Sequence, residues 1–496
     1  MVPSSLSRIQ PSLILFCLIV CLLAYGGNAW YPTFNADDII QAQSASGDST
    51  TFMGQGRWGY YLIFHFLQGE NPAGIFSLFI GVSLTFVSAL IAADAIGFTK
   101  QSTILLFSMV ASVSIYYGHL FVFDSVWIAY PIGMILASIS ANLIIKQKHQ
   151  IVAVILLSAS PAFYQPCIQV FVAILLSREI IIIPTSGVIA SLRRLITGAL
   201  VLSISMLIYF ASVKVSPSLS GIPLLDRGEI NIVGALLSYN RLIDLFVNQS
   251  IPFRAGIKEY YFPWAFRLII GISFFTCLLL FMTVCYKRKA RIEEAIYGVF
   301  LLFSLSVVPF LLALASPLDQ FGPRSLIIFS TVHAFYICSC LHWMGVDQSI
   351  ASQSARKTIS AGVFLLGACL VLVSGAQSSK LSFDNTLAWQ QDRLAVNRMI
   401  MRVDDVIQDT EFALQPTLKI AVRFDHPVNS GPRGEILSAR YSSWSKEWVF
   451  RLLDSRFVAA PIAERSAVIE RSYGKPLWPS RGSVYLDEGI VVIVVN

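Results

Sequence analysis

The stretch Pro72–Phe98 reads PAGIFSLFIGVSLTFVSALIAADAIGF and carries a single charged side chain, Asp94. A helix of about 20 apolar residues is long enough to cross the hydrocarbon core of a bilayer. Apolar runs of similar length follow one another along the chain to about residue 375. The sequence therefore predicts an α-helical polytopic membrane protein.

The composition supports this fold class. Of 496 residues, 55% are hydrophobic and only 13% are charged, whereas a soluble domain carries about 25% charged residues. So few charges cannot cover the surface of a single water-soluble globule. The high hydrophobicity also excludes a disordered chain. The eight cysteines all lie in apolar runs, which is typical of buried hydrophobic residues and not of a disulfide framework.

The N-terminal segment has two interpretations. Arg8 followed by the apolar stretch Pro11–Ala24 and a small-residue segment is typical of a secretory signal peptide. The same residues, extended to Pro11–Trp30, are long enough for an uncleaved first membrane helix. We favour the membrane helix because more spans follow it.

We predict eleven spans, and charge decides the count. The proline-interrupted stretch Ile151–Ser177 is either one kinked span or a hairpin of two short helices around Tyr164-Gln165. Basic residues concentrate in cytoplasmic loops, and only the hairpin places all the basic clusters on one side of the membrane. The other predicted spans are Pro11–Trp30, Pro72–Phe98, Ser102–Tyr117, Ser125–Ile145, Leu195–Val213, Ala265–Tyr286, Ala295–Ser316, Ser325–Gly345 and Ile359–Ser374.

With the hairpin, the predicted cytoplasmic loops hold far more basic than acidic residues, and the N-terminus lies inside and the C-terminus outside. The basic residues are Arg8, Lys100, Lys146, Lys148, Arg178, Arg193, Arg194, Lys287, Arg288, Lys289, Arg291, Arg356 and Lys357. The acidic residues in the same loops are Glu179, Glu293, Glu294 and Asp347. The net charge of +7 is thus a signal of orientation.

The chain divides into two predicted domains. Residues 1–375 form a transmembrane catalytic domain with outer loops at 31–71 and 214–264, and residues 376–496 form a small outer α/β domain. Basic and acidic residues nearly balance in the outer domain, which argues against nucleic-acid binding. Its predicted elements are a helix at Asn385–Asp409, a strand at Leu418–Phe424, a helix at Trp444–Phe457 and a strand at Gly489–Val495.

The first outer loop carries the residues best suited to chemistry. Asp37 and Asp38 are adjacent, and Arg57 and Trp58 follow about 20 residues later. One carboxylate could take a proton from a sugar hydroxyl as general base, while the arginine could bind a phosphate or carboxylate through two hydrogen bonds. The alternative is structural, because Asp37-Asp38 could simply cap an interfacial helix that begins at Ile39.

Three further features fall on the same predicted outer face. Asp124 lies at the outer end of the span that begins at Ser125, Tyr164-Gln165 lies at the hairpin break, and Arg324 precedes a span and could hold a lipid-linked phosphate. Each also has a structural alternative: a helix cap, a hydrogen-bonded turn and a surface arginine. Asp94 lies near the inner end of its span, where it is either functional or directed to the interface near Lys100.

The order of these motifs resembles that of the Gtr-type serotype-converting (O-antigen) glucosyltransferases, the glucosyltransferase II family. The resemblance covers roughly residues 11–375 and rests on Asp37-Asp38, Gly56-Arg57-Trp58, Phe123-Asp124-Ser125, Tyr164-Gln165 and Pro323-Arg324. It implies a GT-C-like enzyme that transfers a sugar, commonly glucose, from undecaprenyl phosphate to the O-antigen of lipopolysaccharide. It further implies that Asp37 and Asp38 are catalytic, and it makes the remaining motif residues candidates for substrate binding: Arg57, Trp58, Asp124, Tyr164, Gln165 and Arg324.

The resemblance also implies a location and partners. We expect a bacterial inner-membrane protein with a cytoplasmic N-terminus and a periplasmic C-terminal domain. A single displacement on the donor would invert the anomeric configuration. The partners would be the polyprenyl-phosphate sugar, the lipid-linked O-antigen acceptor, membrane lipids, and a flippase and a polyprenyl-phosphate glucosyltransferase, but not nucleic acid. The sequence fixes no cofactor and leaves a role for Mg²⁺ or Mn²⁺ open.

Other functions fit the same pattern less well. An O-antigen polymerase or another lipid-linked sugar transferase would use the same outer-face chemistry. A transporter or flippase of lipid-linked sugars would be expected to show inverted repeats and broken polar helices near the middle of the membrane. A membrane anchor for the outer domain would not need so many spans.

Overall fold

The computed structural model describes residues 9–30, 33, 49–67, 74–123, 126–224, 263–311, 323–346, 352–424 and 445–495. The predicted residues Asp37, Asp38 and Asp124 lie outside these ranges. Most of the described chain is helical, and a small sheet forms near the C-terminus. The cysteines are free and, apart from the partly buried Cys369, buried, as their apolar surroundings predict.

The helices up to residue 346 are α1 (Pro11–Tyr25), α2 (Gly27–Trp30), α3 (Ser49–Gly54), α4 (Trp58–Leu67), α5 (Ile75–Ile96), α6 (Gln101–Ser112), α7 (Ile115–Phe121), α8 (Ala129–Ile145), α9 (Gln150–Phe163), α10 (Ile168–Ser186), α11 (Val188–Ser220), α12 (Trp264–Lys287), α13 (Ile292–Val307) and α14 (Phe329–Val346). Helix α15 (Gln353–Ile407) leads into the C-terminal domain with α16 (Lys446–Leu453) and α17 (Ile462–Arg471). Short 3₁₀ turns cover Gln165–Cys167, Val308–Phe310, Pro323–Leu326 and Glu411–Leu414.

The predicted hairpin around Tyr164 is confirmed. Tyr164 is extended (φ −161°, ψ 119°) and separates α9 from α10. Helix α9 runs antiparallel to α8, because Ser160 Oγ donates to the Gly133 carbonyl and Ser140 Oγ to the Ala153 carbonyl, both at 2.8 Å. Helix α10 then returns alongside α8, since Cys167 Sγ lies 3.5 Å from the Tyr130 carbonyl at its start.

Charged side chains gather at the other end of this hairpin, which we call the basic end and define by Lys146, Arg178 and Arg194. Lys146 Nζ lies 2.8 Å from Asp94 Oδ2, so Asp94 reaches the end of its helix and pairs with Lys146 there. Arg194 donates two hydrogen bonds of 2.8 Å to the buried carboxylate of Glu179. Arg178 donates to the Ile96 carbonyl at 3.1 Å.

Six described helices are long and apolar enough to cross a membrane, and a seventh span results if α6 and α7 are counted as one bent segment. Three shorter apolar helices, α1, α8 and α9, accompany them. Length and composition thus support a multi-pass membrane protein without reaching the predicted count of eleven. The predicted first span Pro11–Trp30 is interrupted, because α1 ends at Tyr25 and α2 begins at Gly27.

The predicted span Ser102–Tyr117 is also not straight, since α6 and α7 meet at an angle of 48°. The hydroxyl of Tyr25 explains the bend. It donates to the Ser112 carbonyl at 2.6 Å and accepts from the Ser114 amide at 2.9 Å. These backbone groups are therefore satisfied by a side chain where a continuous helix would pair them internally.

The C-terminal domain is built on helix α15. Its strands are β1 (Leu418–Phe424), β2 (Phe457–Ala459), β3 (Val484–Asp487) and β4 (Ile490–Val495), in the order β2-β1-β4-β3. β1 is parallel to β2 and β4, and β3 is antiparallel to β4. Val396, Met399 and Val403 of α15 belong to the same apolar core as the sheet.

The predicted strand Leu418–Phe424 is confirmed, and the last strand differs from the predicted Gly489–Val495 by one residue. The predicted helix at Trp444–Phe457 is wrong at its end, because α16 ends at Leu453 and Phe457 begins β2. Asp454 causes the turn between them, since its carboxylate accepts hydrogen bonds from both the amide and the guanidinium of Arg456. Helix α15 passes through the predicted domain boundary at residues 375–376 without a break.

Candidate functional site

The site begins at a tight turn before α4. Gly56 has φ +75°, and a Cβ there would lie 3.2 Å from the hydroxyl of Tyr209 and 3.1 Å from a methyl of Val213. Glycine alone meets both demands without strain. The next residue, Arg57, is thereby directed at the hairpin break between α9 and α10.

Arg57 and Gln165 form the centre of the site. Arg57 Nε donates to Gln165 Oε1 at 2.9 Å, and its Nη1 donates to the hydroxyl of Tyr130 at 3.2 Å. The amide nitrogen of Gln165 donates to the Gln55 carbonyl at 3.1 Å. Both ends of the Gln165 amide are therefore in use, which fixes its orientation and with it that of the arginine.

Tyr164 connects this centre to the second predicted arginine. Its ring stacks on Tyr130 with centroids 3.8 Å apart and planes 5° from parallel. Its hydroxyl donates to the backbone carbonyl of Arg324 at 2.9 Å. The Arg57 guanidinium lies 5.5 Å from the centre of the Tyr164 ring. Residues separated by more than 250 positions along the chain thus share one network.

The Arg324 side chain packs over Phe123, with Cζ 4.3 Å from the ring centre. Phe123 directly precedes Asp124 in the sequence. Within the described residues, the hydrogen-bond partners of Arg57 are the neutral side chains of Gln165 and Tyr130. Because these partners are neutral, they orient the guanidinium without balancing its positive charge. The planar group can then form two parallel hydrogen bonds with a phosphate or a carboxylate.

Two tyrosines of the site were not predicted. Tyr130 accepts from Arg57 and stacks on Tyr164, while Tyr209 donates to the Gly56 carbonyl at 3.2 Å and lies 3.4 Å from the amide nitrogen of Gln165. Both lie within apolar helices, α8 and α11, where a lone tyrosine reads as an ordinary core residue. No signal in the sequence alone distinguishes them.

The structure brings Arg57, Tyr164, Gln165 and Arg324 together, whereas the Trp58 side chain contacts helix α11. Its indole nitrogen donates to Ser212 Oγ on α11 at 2.9 Å, and its ring packs beside Ala162 and Val213. Trp58 fastens α4 to α11. Its predicted substrate contact remains a prediction.

In the part of the chain that the structure describes, no three His, Cys, Asp or Glu side chains lie close enough to hold a metal ion. The predicted carboxylates Asp37, Asp38 and Asp124 are outside that part. The described chain does reach close to both segments, through Thr33 on one side and Phe123 on the other. The roles of the three carboxylates therefore stay predictions from the sequence.

A family model described as "Glucosyl transferase GtrII" matches residues 30–335. The match spans well over half of the chain and includes the whole network around Arg57 as well as Asp37, Asp38 and Asp124. No curated protein and no solved structure shows significant similarity to the chain. From the family match, the apolar helices and the arginine-centred network, we conclude that the chain belongs to the GtrII glucosyl transferase family.

Proposed function

We propose that this membrane glucosyltransferase transfers a glucosyl residue from a polyprenyl-phosphate donor to the O-antigen of lipopolysaccharide, and thereby modifies serotype. The observation that supports the donor is the convergence of Arg57 and Arg324 on one tyrosine, Tyr164. Tyr164 contacts the Arg57 guanidinium through its ring and the Arg324 backbone through its hydroxyl, and guanidinium groups suit the phosphate of a lipid-linked sugar.

We further propose that the chemistry occurs on the periplasmic face of a bacterial inner membrane. The basic end, with Lys146, Arg178 and Arg194, is then cytoplasmic under the positive-inside rule. The Arg57 network lies at the opposite end of α8–α10, because Tyr130 and Tyr164 are at one end of these helices and Lys146 and Arg178 are towards the other. In this proposal the bent pair α6–α7, the shorter apolar helices α1, α8 and α9, and helix α14 also cross the membrane. Together with the six long apolar helices they give eleven spans with the N-terminus inside.

The proposed reaction is a single displacement with inversion. Asp38 or Asp37 removes the proton from an acceptor hydroxyl, and the hydroxyl oxygen forms a bond to the anomeric carbon of the donor. The bond between that carbon and the phosphate oxygen breaks, and polyprenyl phosphate leaves with the electron pair. The transition state resembles an oxocarbenium ion. Phosphate is a good leaving group without protonation, and Arg57 and Arg324 stabilise its developing charge.

The proposal extends to partners and to a metal. A flippase and a polyprenyl-phosphate glucosyltransferase supply the donor on the periplasmic side. We propose that a Mg²⁺ or Mn²⁺ ion used in this reaction binds at Asp37 and Asp38; the described residues form no metal cluster.

The test is mass analysis of lipopolysaccharide from cells with and without the protein. The wild-type chain is expected to add one hexose per O-antigen repeat, and Asp37→Asn and Asp38→Asn are expected to abolish that gain while the protein still inserts. Asp405→Asn is the matched control, because this carboxylate is 63% exposed in the outer domain. Full activity of both loop variants would disprove the catalytic role. A change in O-antigen chain length without added hexose would indicate a polymerase, and no mass change at all would indicate transport or anchoring.

A further inference from the structure

Helix α15 lies beyond the residues that the family model matches, yet it packs closely against the start of the chain. Ser378 and Ser382 are buried on one face of α15. A Cβ on Gly118 would lie 2.8 Å from Ser378 Oγ, and a Cβ on Gly27 would lie 2.7 Å from Ser382 Oγ. Because these small residues let the backbones approach, α15 is held directly against α2 and α7.

One turn further along α15, Asn385 makes a specific contact. Its side chain is 2% exposed, and its Nδ2 donates to Thr33 Oγ1 at 2.7 Å. Thr33 is itself buried and precedes Asp37 by four residues. A hydrogen bond between two buried side chains that are distant in sequence restricts the chain at that point.

A second contact holds the same segment from the other side. Asn28 Nδ2 donates to the backbone carbonyl of Phe121 at 3.0 Å, and Phe121 lies two residues before Phe123, which packs under Arg324. Asn28 is therefore fixed to α7 and Thr33 to α15. Both attachment points precede Asp37 and Asp38 in the sequence, and Thr33 is the nearer of the two.

We propose that Asn385 is a positioning residue for the transfer reaction: through Thr33 it fixes the point from which the Asp37-Asp38 segment starts. The inference rests on the proposed function, since it assumes that one of these carboxylates is the base. Such a reaction is fast only when the carboxylate is held within reach of the proton on the acceptor hydroxyl. The C-terminal unit then belongs to the catalytic apparatus, although it lies outside the family match.

The kinetic test uses the purified full chain with a polyprenyl-phosphate glucose donor. Asn385→Ala and Thr33→Val each remove one neutral hydrogen bond and are expected to lower kcat about five- to tenfold, with donor KM changed less than about twofold. The double variant should be no worse than either single variant. Thr33→Ser keeps the hydroxyl that accepts this hydrogen bond and should therefore retain the wild-type kcat. Asn397→Ala is the matched control on an exposed face of the same helix.

A second measurement does not depend on activity. Asp37→Cys is labelled with a membrane-impermeant maleimide, with the wild-type chain as the blank for its native cysteines. Adding Asn385→Ala should raise the labelling rate by about threefold or more, because the segment is no longer held at Thr33. An unchanged labelling rate, or additive kinetic losses in the double variant, overturns the inference. The two proposals can fail separately. If Asn385→Ala speeds the labelling of Asp37→Cys but the wild-type chain transfers no sugar, the attachment is upheld and the proposed function is refuted.

Discussion

The replacement Gln165→Leu probes the centre of the site. Leucine matches glutamine in size but can neither accept from Arg57 Nε nor donate to the Gln55 carbonyl. The backbone turn at Gln165–Cys167 is left in place. The variant therefore releases the guanidinium without removing its charge.

The expected loss follows from the two hydrogen bonds. A hydrogen bond to a charged group contributes about 1.5–3 kcal/mol and a neutral one about 0.5–1.5 kcal/mol. Together they amount to about 2–4.5 kcal/mol, which corresponds to about 30- to 2000-fold in kcat/KM if all of it is expressed in the transition state. Arg57 is only partly buried, so water replaces part of the lost interaction. We expect a fall of about 100-fold, near the lower part of that range.

The assay is steady-state transfer by purified protein, with the melting temperature recorded for each variant. Gln169→Leu is the matched control, because Gln169 is a buried glutamine one turn further along α10 and its amide donates to the Pro309 carbonyl at 3.1 Å. That control should lower stability but leave kcat/KM within about threefold. Arg57→Ala combined with Gln165→Leu should cost little more than Arg57→Ala alone, because Gln165 acts through Arg57. Equal kcat/KM values for Gln165→Leu and Gln169→Leu would refute the role assigned to Gln165.

Three other variants test separate parts of the structure. Arg324→Ala removes a cation that is proposed to contact the donor phosphate and should reduce kcat/KM for the donor by about 10- to 100-fold while acceptor KM stays nearly constant, as measured by varying each substrate; an unchanged donor dependence would exclude it from the site. Glu179→Gln removes the charge that pairs with the partly exposed Arg194 and should lower the free energy of unfolding by about 1–3 kcal/mol in a denaturation experiment, with the turnover of folded molecules retained. The hydrogen bond from the Arg456 side chain lowers the pKa of Asp454 from its ordinary value of 3.8, so its stabilising contribution is present above about pH 4 and is lost as the pH falls further. Because this pair is partly exposed to solvent, the effect should stay below about 1 kcal/mol, and Asp454→Asn should remove that part of the pH dependence in thermal melts from pH 3 to 7.

Elements that are determined by neighbouring residues in the sequence could be predicted. The strand Leu418–Phe424 has the expected bounds because β-branched and apolar residues cluster between polar turns. The break at Tyr164 is marked by the flanking prolines Pro161 and Pro166. The meeting of Arg57, Gln165 and Arg324 followed from topology, since residues at the same end of a helical bundle must lie near one another.

Contacts between distant residues could not be predicted in the same way. The bend between α6 and α7 depends on the hydroxyl of Tyr25, which is 87 residues away from its partner Ser112. Tyr130 joins the site only because α8 and the hairpin break come together in three dimensions. The end of α16 is set by Asp454 and Arg456, a pair whose amphipathic surroundings favour a longer helix. In each case a side chain overrides the local preference of the backbone.

The unbroken passage of α15 from the bundle into the C-terminal domain has a consequence for helical phase. Each residue of an α-helix adds about 1.5 Å of rise and about 100° of rotation. A one-residue insertion between Ser382 and Trp389 would therefore turn the whole β-sheet about the helix axis by roughly 100°, while leaving the core that the sheet shares with Trp389 and Val396 intact. An insertion of seven residues, close to two complete turns, would raise the sheet by about 10 Å and nearly restore its direction. The angular setting of the sheet relative to the helical bundle is thus encoded by the number of residues in this helix.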